Sequence, residues 1–380
     1  MADRFSSRSI SQLSPDHQGV NRLVVALGAK RNHAGNGPWV LVIDDGRDGQ
    51  SRSALAAVRA LALAGYRPAV TVSGPLSLAG ASRSCARRIP LSSVDSPGFS
   101  EAVAGERERH QYLTLFPASD AALAALDYPV GHLLDKAALT EQAASVGLST
   151  VRSVVVENPS VLRTAARALG YPVLIKGRLE KLPVRIARND QELPEEVTTQ
   201  LVVQPYIEGT ITAFAGLLVD GQLLAQVQQR CLRTWPVPAG VSSAAVTTTP
   251  DPDLAQALTR LLDGYQGLFQ AQFVDGKLID LNPRVYGSLP LAVAAGVNLP
   301  AMACEVASGG RPHPVVGSSG VHYRWVEGDM RHLVHQARRL GLGGVAAALL
   351  PHRNTAHSVI SWSDPGPLIT RLRHIAGRKS

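Results

Sequence analysis

Short apolar runs alternate with amphipathic stretches over the first third of the chain. Trp39–Ile43 is a continuous apolar run that Asp44-Asp45-Gly46 ends, and such a run is typical of a parallel strand buried on both faces. Residues 53–64 have helical spacing and are closed by Gly65, and residues 69–72 form a second apolar run. A strand, a helix and a strand in this order make a βαβ unit, so we predict an α/β domain around a parallel sheet.

The middle of the chain combines short strands with helices that carry clear start signals. Asn158-Pro159 is such a signal, because proline is well suited to the first turn of a helix. Ser119-Asp120 opens another helix, because serine is a favoured N-cap residue. The pattern predicts helices at 134–146 and 160–169 and strands at 113–116, 151–156, 171–176 and 201–207.

Two β-hairpins are indicated further along the chain. They are centred on Asp220-Gly221 and Asp275-Gly276, and Asp-Gly between apolar strands is a strong hairpin signal because both turn residues need positive φ. Around them we predict a strand at 244–248 and helices at 253–262, 289–295 and 300–307.

Composition narrows the class of protein. The chain has 380 residues, of which 45% are apolar and 18% charged, so it has ample material for a core and is not wholly disordered. The net charge is +8, but the basic residues cluster only as pairs. We therefore expect no nucleic-acid partner and favour an anionic small molecule such as a nucleotide.

Cellular location is suggested by what the sequence lacks. The three cysteines form no Cys-x-x-Cys pair, so a disulfide framework and a zinc site are disfavoured and a reducing cytoplasm is the expectation. No apolar signal-peptide core is found, and no apolar run approaches the ~20 residues that span a bilayer. We expect a soluble protein with no membrane partner.

A candidate metal site lies on the second hairpin. Side chains alternate along a strand, so Asp280 and Asn282 should share one face, while Ile279 and Leu281 face apolar packing. A carboxylate and an amide oxygen suit Mg²⁺ that carries phosphate, and Arg284 could reach the same phosphate. The alternative is that Asn282-Pro283 only ends a strand.

Lysine is rare enough for its placement to carry information. Only six positions are lysine, and two of them are Lys136, at a helix start, and Lys176, at the end of an apolar strand. A compact ammonium suits phosphate, although solvated surface lysines remain the alternative. Pro205 breaks the strand 201–207 before Gly209 and so marks an edge or a hinge.

The order of these parts resembles the ATP-grasp superfamily, in particular its carbamoyl-phosphate-synthase-like and carboxylate–amine ligase branch. The resemblance covers residues 38–310 and is carried by Asp135-Lys136, Tyr171–Lys176, Gln204–Gly209, Asp280–Arg284, Tyr286–Ser288 and Ala295–Pro300. It implies a Rossmann-like pre-ATP-grasp domain followed by a two-lobed ATP-grasp fold.

The resemblance also implies roles for individual residues. It places Lys136 and Lys176 on ATP phosphates, and Arg284 on the transferring phosphoryl group. It places adenine against Gln204, Pro205, Tyr206 and Ile207. Mg²⁺ would be bound by Asp280, Asn282 and Gln272, while Arg230 and Arg233 would contact the phosphate or the acyl substrate.

The chain departs from the family pattern at several positions. Gln272 stands where a Glu is usual, and a regular two-residue hairpin would pair it with Ile279, so it needs a bulge to join the site. The loop after Lys176 is poor in glycine, and Arg178 or Lys181 would have to supply its phosphate contacts by charge.

The sequence thus predicts a leader segment that can be mobile (1–37), a pre-ATP-grasp domain (38–125), an ATP-grasp domain (126–310, with lobes 126–203 and 204–310) and a C-terminal extension (311–380). The predicted activity is ligation of a small-molecule carboxylate to an amine with ATP and Mg²⁺, through an acylphosphate. A degenerate protein that binds nucleotide without ligating is the alternative, and a plain interaction protein is a third. The loop Trp235–Ser243 is either a connector or a flap over the acceptor, and a homodimer is compatible with the sequence.

Overall fold

The computed structural model describes residues 36–46, 51–128, 130–179 and 182–377. The leader predicted at 1–37 therefore lies almost entirely outside the described residues, as does Lys181.

The first sheet is parallel. Its strands are β1 (Trp39–Ile43), β2 (Arg67–Val72), β3 (Arg87–Pro90) and β4 (Leu115–Pro117), in the order β3-β2-β1-β4. Helix α1 (Arg52–Leu63) joins β1 to β2, and helix α2 (Phe99–Arg109) joins β3 to β4. Neither β3 nor α2 was predicted from the pattern.

The continuous apolar run of β1 is explained by burial on both faces. Val40 and Val42 pack with the alanines and leucines of α1, whereas Leu41 and Ile43 pack with Phe99 on the opposite side. The chain runs from β1 outward through β2 to β3 and then crosses back to form β4 on the other side of β1. The strand order therefore reverses beside β1. Ligands of open α/β sheets bind outside the carboxyl ends of strands at such a reversal.

A small antiparallel sheet follows. It contains β5 (Val154–Val156), β6 (Val173–Gly177), β7 (Arg185–Ala187) and β8 (Leu201–Pro205), in the order β5-β8-β6-β7. One face packs on α6 (Pro159–Leu169). The helices that precede it are α3 (Asp120–Ala125), α4 (Gly131–Leu134) and α5 (Lys136–Ser145). The single helix predicted at 134–146 is therefore broken at Asp135, whose carboxylate caps α5 by accepting from the amides of Ala137 and Ala138.

The large sheet has eight strands. They are β9 (Ile211–Val219), β10 (Gln222–Trp235), β11 (Val241–Thr248), β12 (Gly267–Val274), β13 (Lys277–Asn282), β14 (Val315–Val316), β15 (His322–Arg324) and β16 (Thr355–His357). The order is β13-β12-β9-β10-β11-β15-β16, and β14 pairs with β10. The remaining helices are α7 (Pro252–Leu261), α8 (Leu289–Ala294), α9 (Leu299–Ala307), α10 (Val326–Leu349) and α11 (Gly366–Gly377).

Both predicted hairpins are confirmed. Asp220-Gly221 joins β9 to β10 and Asp275-Gly276 joins β12 to β13, and all four turn residues have positive φ. Among the described residues, no helix is both long and apolar enough to cross a membrane.

Candidate active site

Lys176 connects the small sheet to the edge of the large one. Alternation along β6 buries Val173 and Ile175 against the helix-covered face, so Lys176 lies on the opposite face. Its Nζ donates to the carbonyl oxygen of Ile279 at 2.8 Å. Burial lowers the pKa of Lys176 to about 8, against the opposing effect of Asp280 and with a smaller lowering by the charge of Lys136.

Lys136 lies near Lys176, at the start of α5. Its Nζ donates to the carbonyl of Arg178 at 3.4 Å, and its charge acts on Lys176. The structure therefore brings the two predicted phosphate contacts together. Two nearby cations repel each other, and a phosphate between them would relieve this repulsion.

Arg178 does not offer a free charge to this place. Its Nη2 donates to Asp135 at 2.7 Å, its Nε contacts the same carboxylate at 3.0 and 3.1 Å, and its Nη1 donates to Gln200. Hydrogen bonds from Arg178 lower the pKa of Asp135. The idea that Arg178 replaces a glycine-rich phosphate loop is thus corrected: it braces the cap of α5.

The predicted adenine contacts follow the end of β8. Gln204 is buried, and the amide of Tyr206 donates to the Pro172 carbonyl at 2.9 Å. Within the described ranges, no acceptor takes the N–H of Ile207. A half-buried amide of this kind is available to a ligand at the point where the sheet ends.

A bulge in β13 aligns the candidate metal ligands. Gln272 pairs with Asp280 and Phe273 pairs with Leu278, so Ile279 is the extra residue. The bulge that the sequence required is therefore present, and it places Gln272 opposite Asp280 on one face. The predicted packing of Ile279 is corrected, since Leu278 and Leu281 enter the core instead.

Arg284 links this face to the first sheet. Its Nη2 donates to Oδ1 of Asn282 at 2.5 Å and its Nε donates to Asp120 at 2.5 Å. Asn282 in turn donates to Asp280 at 3.4 Å. Asp120, at the start of α3, was seen in the sequence only as part of a helix start, although its place after an apolar strand was a usable signal.

Of these groups, Asp120, Gln272, Asn282 and Arg284 line a cavity of about 1070 Å³, whereas Lys136, Lys176, Asp280 and the segment Gln204–Ile207 do not line it. The carboxyl ends of β1 and β4 contribute one wall, the large sheet another and the C-terminal segment a third. The lining includes Asp45, Arg52, Ser119, Asp120, Gln229, Gln270, Gln272, Asn282, Arg284, Trp325, Glu327 and Arg371. Gly240–Ser242 also line it, so the loop predicted as a connector or flap lies at the cavity.

Two predicted arginines are not brought to this cavity. Arg230 is exposed, and its neighbour Gln229 lines the cavity from the other face of β10. Arg233 is held by Asp329, with Nε to Oδ1 at 2.5 Å and Nη2 to Oδ2 at 3.2 Å. Neither arginine lines this cavity, and their contact with phosphate or the acyl substrate stays a prediction. Gln270 and Gln229, which both bond to Ser288, take the cavity positions instead.

No family model matches the chain, and no curated protein matches it. Solved structures do match. The biotin carboxylase domain of Hydrogenobacter thermophilus 2-oxoglutarate carboxylase, in complex with MgADP, ADP and bicarbonate, is 15% identical at a TM-score of 0.57, over 75% of this chain and 73% of that chain.

Two further structures extend this likeness to other enzymes. The L-amino acid ligase of Bacillus licheniformis is 14% identical at a TM-score of 0.55, over 73% of this chain and 75% of that chain. The N5-carboxyaminoimidazole synthetase of Staphylococcus aureus is 14% identical at a TM-score of 0.58, over 76% and 83%. The likeness to these three structures shows that the chain has the ATP-grasp fold.

Proposed function

We propose that this protein is an ATP-dependent ligase that joins a small-molecule carboxylate to an amine. The observation that carries the proposal is the junction of the two sheets, where Lys176 reaches the bulge at Ile279 beside Asp280. A cation and a carboxylate at the join of two lobes can hold opposite sides of a metal-bound phosphate. The four-stranded parallel sheet would be the Rossmann-like pre-ATP-grasp domain.

The oxygen atoms near the bulge fit Mg²⁺ in kind. Asp280 supplies one carboxylate and Gln272 an amide oxygen, and Mg²⁺ in proteins often uses one or two carboxylates together with substrate phosphates. The described residues contain no group of three or more His, Cys, Asp or Glu side chains that could hold a metal. The site would therefore depend on nucleotide phosphates. When bound, the ion would neutralise phosphate charge.

The remaining roles follow from position. Lys136 and Lys176 would hold the phosphates, and the segment Gln204–Ile207 would hold adenine through its backbone. Arg284, fixed by Asp120, would stabilise the transferring phosphoryl group. Asn282 would orient Arg284, because its amide oxygen accepts from that guanidinium.

The proposed chemistry has two steps. A carboxylate oxygen attacks the γ-phosphorus, the bond to the bridging β,γ-oxygen breaks, and ADP leaves an acylphosphate. The amine nitrogen then attacks the acyl carbon, the carbon–oxygen bond breaks, inorganic phosphate departs, and the nitrogen loses a proton to give the amide.

The same site supports a second candidate, a protein that binds nucleotide without ligation. Asp280 faces Gln272 rather than a second carboxylate, and the Asn282 oxygen is occupied by Arg284. Both features reduce the negative charge available to a metal. Calorimetric titration with ADP and Mg²⁺, followed by an ADP-release assay over a broad panel of acids and amines, separates the candidates. Binding without turnover would favour this second one.

Lys176→Ala tests the site itself. We expect ADP affinity to fall about tenfold to a hundredfold, since charge-assisted contacts of about 1.5–3 kcal/mol are lost, and any ADP release to stop. Lys277→Ala is a matched control, because Lys277 lies at the turn of the same hairpin. Undiminished ADP binding and turnover in Lys176→Ala would contradict the proposed site.

The location and partners are proposed from indirect support. Cys85, Cys231 and Cys304 are free, in keeping with a reducing compartment such as the cytoplasm. Two small-molecule substrates, one acid and one amine, would be the partners. The homodimer suggested by the sequence stays a prediction, which sedimentation can test.

A further inference from the structure

Arg52 is the best-defined cation in the cavity that the proposed reaction does not use. It lies at the start of α1, and its guanidinium stacks over the ring of Trp325 at 3.9 Å from the ring centre. Its Nη1 donates to the hydroxyl of Tyr323 at 3.1 Å, and that hydroxyl donates to the Gly287 carbonyl at 3.1 Å. Tyr323 is itself buried. The segment that carries Tyr323 and Trp325 therefore fixes the position of the guanidinium, and the Gly287 carbonyl fixes the Tyr323 hydroxyl.

Arg52 differs from the other arginines of the cavity in its partners. Arg284 is paired with Asp120 and Arg371 with Glu327, at 2.5 and 2.7 Å. Over the described part of the chain, no carboxylate forms an ion pair with Arg52. A guanidinium has five N–H donors, and the hydroxyl of Tyr323 takes one of them.

Glu327, whose charge interacts with that of Arg52, is already paired with other arginines. Burial alone would raise the pKa of Glu327, but hydrogen bonds from Arg371 and the charges of Arg371, Arg331 and Arg52 lower it below its ordinary value. Glu327 already pairs with Arg371 at 2.7 Å and Arg331 at 3.0 Å. Of these residues, Arg52, Arg371 and Glu327 line the cavity, so this part of its lining has two positive charges against one negative charge.

We propose that Arg52 binds an oxyanion, in the first instance a free carboxylate, which a substrate carries besides its reacting group. This rests on the proposed function, since it assigns a recognition group to a substrate of that reaction. A guanidinium held flat against an indole is pre-ordered, so little side-chain entropy is lost on binding. Its planar fork matches the two oxygens of a carboxylate. The substrate class is therefore amino acids, short peptides or dicarboxylates.

A phosphate monoester offers similar chemistry, so the experiment includes both sources. Calorimetry is performed with and without ADP and Mg²⁺, using glycine, glycylglycine, succinate and phosphoethanolamine. Glycinamide and ethanolamine are the matched compounds without the oxyanion. We expect a carboxylate to bind and the matched compound without the oxyanion not to bind.

The variants identify the residue responsible. Arg52→Gln should weaken oxyanion binding at least tenfold. Arg52→Lys should weaken carboxylate binding more than phosphate binding, because lysine acts as a point charge without a fork. Trp325→Leu, which leaves the charge but removes the stack, should also weaken binding. Arg67→Gln is the matched control, because Arg67 stacks over Trp39 at 4.5 Å outside the cavity.

The outcomes separate this proposal from the proposed function. If ADP binds with a dependence on Lys176, but wild-type protein binds no oxyanion or Arg52→Gln binds as well as wild type, the Arg52 site is overturned and the ligase proposal stands. If ADP fails to bind, the ligase proposal falls whatever the oxyanions do. ADP affinity and the thermal midpoint of each variant report whether it is folded. Binding of phosphoethanolamine alone would assign the site to a phosphate monoester.

Discussion

Individual buried charges in this protein are mostly paired, and Asp44 is the exception that invites a test. It follows β1, is 5% exposed, and its Oδ1 has no hydrogen-bond partner among the described residues. Burial, with the charge of Asp45, raises the pKa of Asp44 from 3.8 to about 7, against a lowering by Ser51. Between pH 3.8 and about 7, the folded protein therefore keeps a proton on Asp44 that the unfolded chain releases.

Asp44→Asn should change how stability depends on pH. In the wild type, ionisation of this carboxyl does not lower the free energy of unfolding below pH 3.8, because the carboxyl is protonated in both the folded and the unfolded chain. Stability is then lost as the pH rises to about 7, by at most about 1.4 kcal/mol per pH unit. The variant should lack this loss and be more stable than wild type at pH 8. Urea unfolding at pH 5 and pH 8 measures it, with exposed Asp95→Asn as the control. An equal pH dependence in wild type and Asp44→Asn would refute the assignment.

At the scale of elements, a buried ion triad joins a long strand to the C-terminal segment. Asp329 of α10 is 0% exposed and accepts from Arg233 of β10 and from Arg324 of β15, each at 2.5 Å. Nη2 of Arg324 has no partner among the described residues. The triad thus fixes the end of β10, which carries the loop that lines the cavity.

Asp329→Asn should be strongly destabilising. Removing one member of a buried ion pair leaves uncompensated charge and typically costs about 3–5 kcal/mol, and here two arginines lose their partner. The urea midpoint should fall, whereas exposed Asp263→Asn should leave it within about 0.5 kcal/mol of wild type. If Asp329→Asn had the same urea midpoint as that control, the triad would not stabilise the end of β10.

At the scale of the whole molecule, the C-terminal 70 residues are integrated with the rest. β15 and β16 extend the large sheet, and Val321 and Tyr323 pack against Ala245 and Leu291. Asp364 is fully buried and accepts from Arg59 of α1 at 2.9 Å and from Ser82 at 2.6 Å. The same segment supplies the cavity wall that contains Trp325 and Arg371.

Truncation of the chain after residue 310 should therefore destabilise the residues that remain. We expect the truncated chain to bind a hydrophobic dye and to be cleaved rapidly by protease, because Leu291 and Ala245 lose their cover and Arg59 loses its acceptor. The full-length chain is the control. A truncated chain with an unchanged urea midpoint and unchanged protease resistance would show that residues 311–380 are a separate extension after all.

Elements that depend on neighbouring residues could be predicted from the sequence, whereas contacts between residues far apart along the chain could not be predicted from local pattern. The buried strand β1, the helix α6 after Asn158-Pro159 and the two Asp-Gly hairpins are local, because periodicity and turn sterics act over a few residues. The grouping of Lys136, Lys176 and Asp280 was reached only through the order of motifs. Strand β3 was missed because its short run, Arg87–Pro90, carries two charges.

By itself, the sequence determined local elements such as β1, α6 and the two Asp-Gly hairpins, and it placed Asp280 and Asn282 on one face of their strand. The tertiary structure decided which partner each charged side chain contacts. Arg178, Arg233 and Arg284 are each held by an aspartate more than forty residues away. Arg52 instead meets Tyr323 across 271 positions and forms no ion pair with an acid among the described residues. An arginine's local sequence is the same whether its partner is an acid, an aromatic ring or a substrate. Only packing brings the partner near, and desolvation then sets the strength of the interaction between the arginine and that partner.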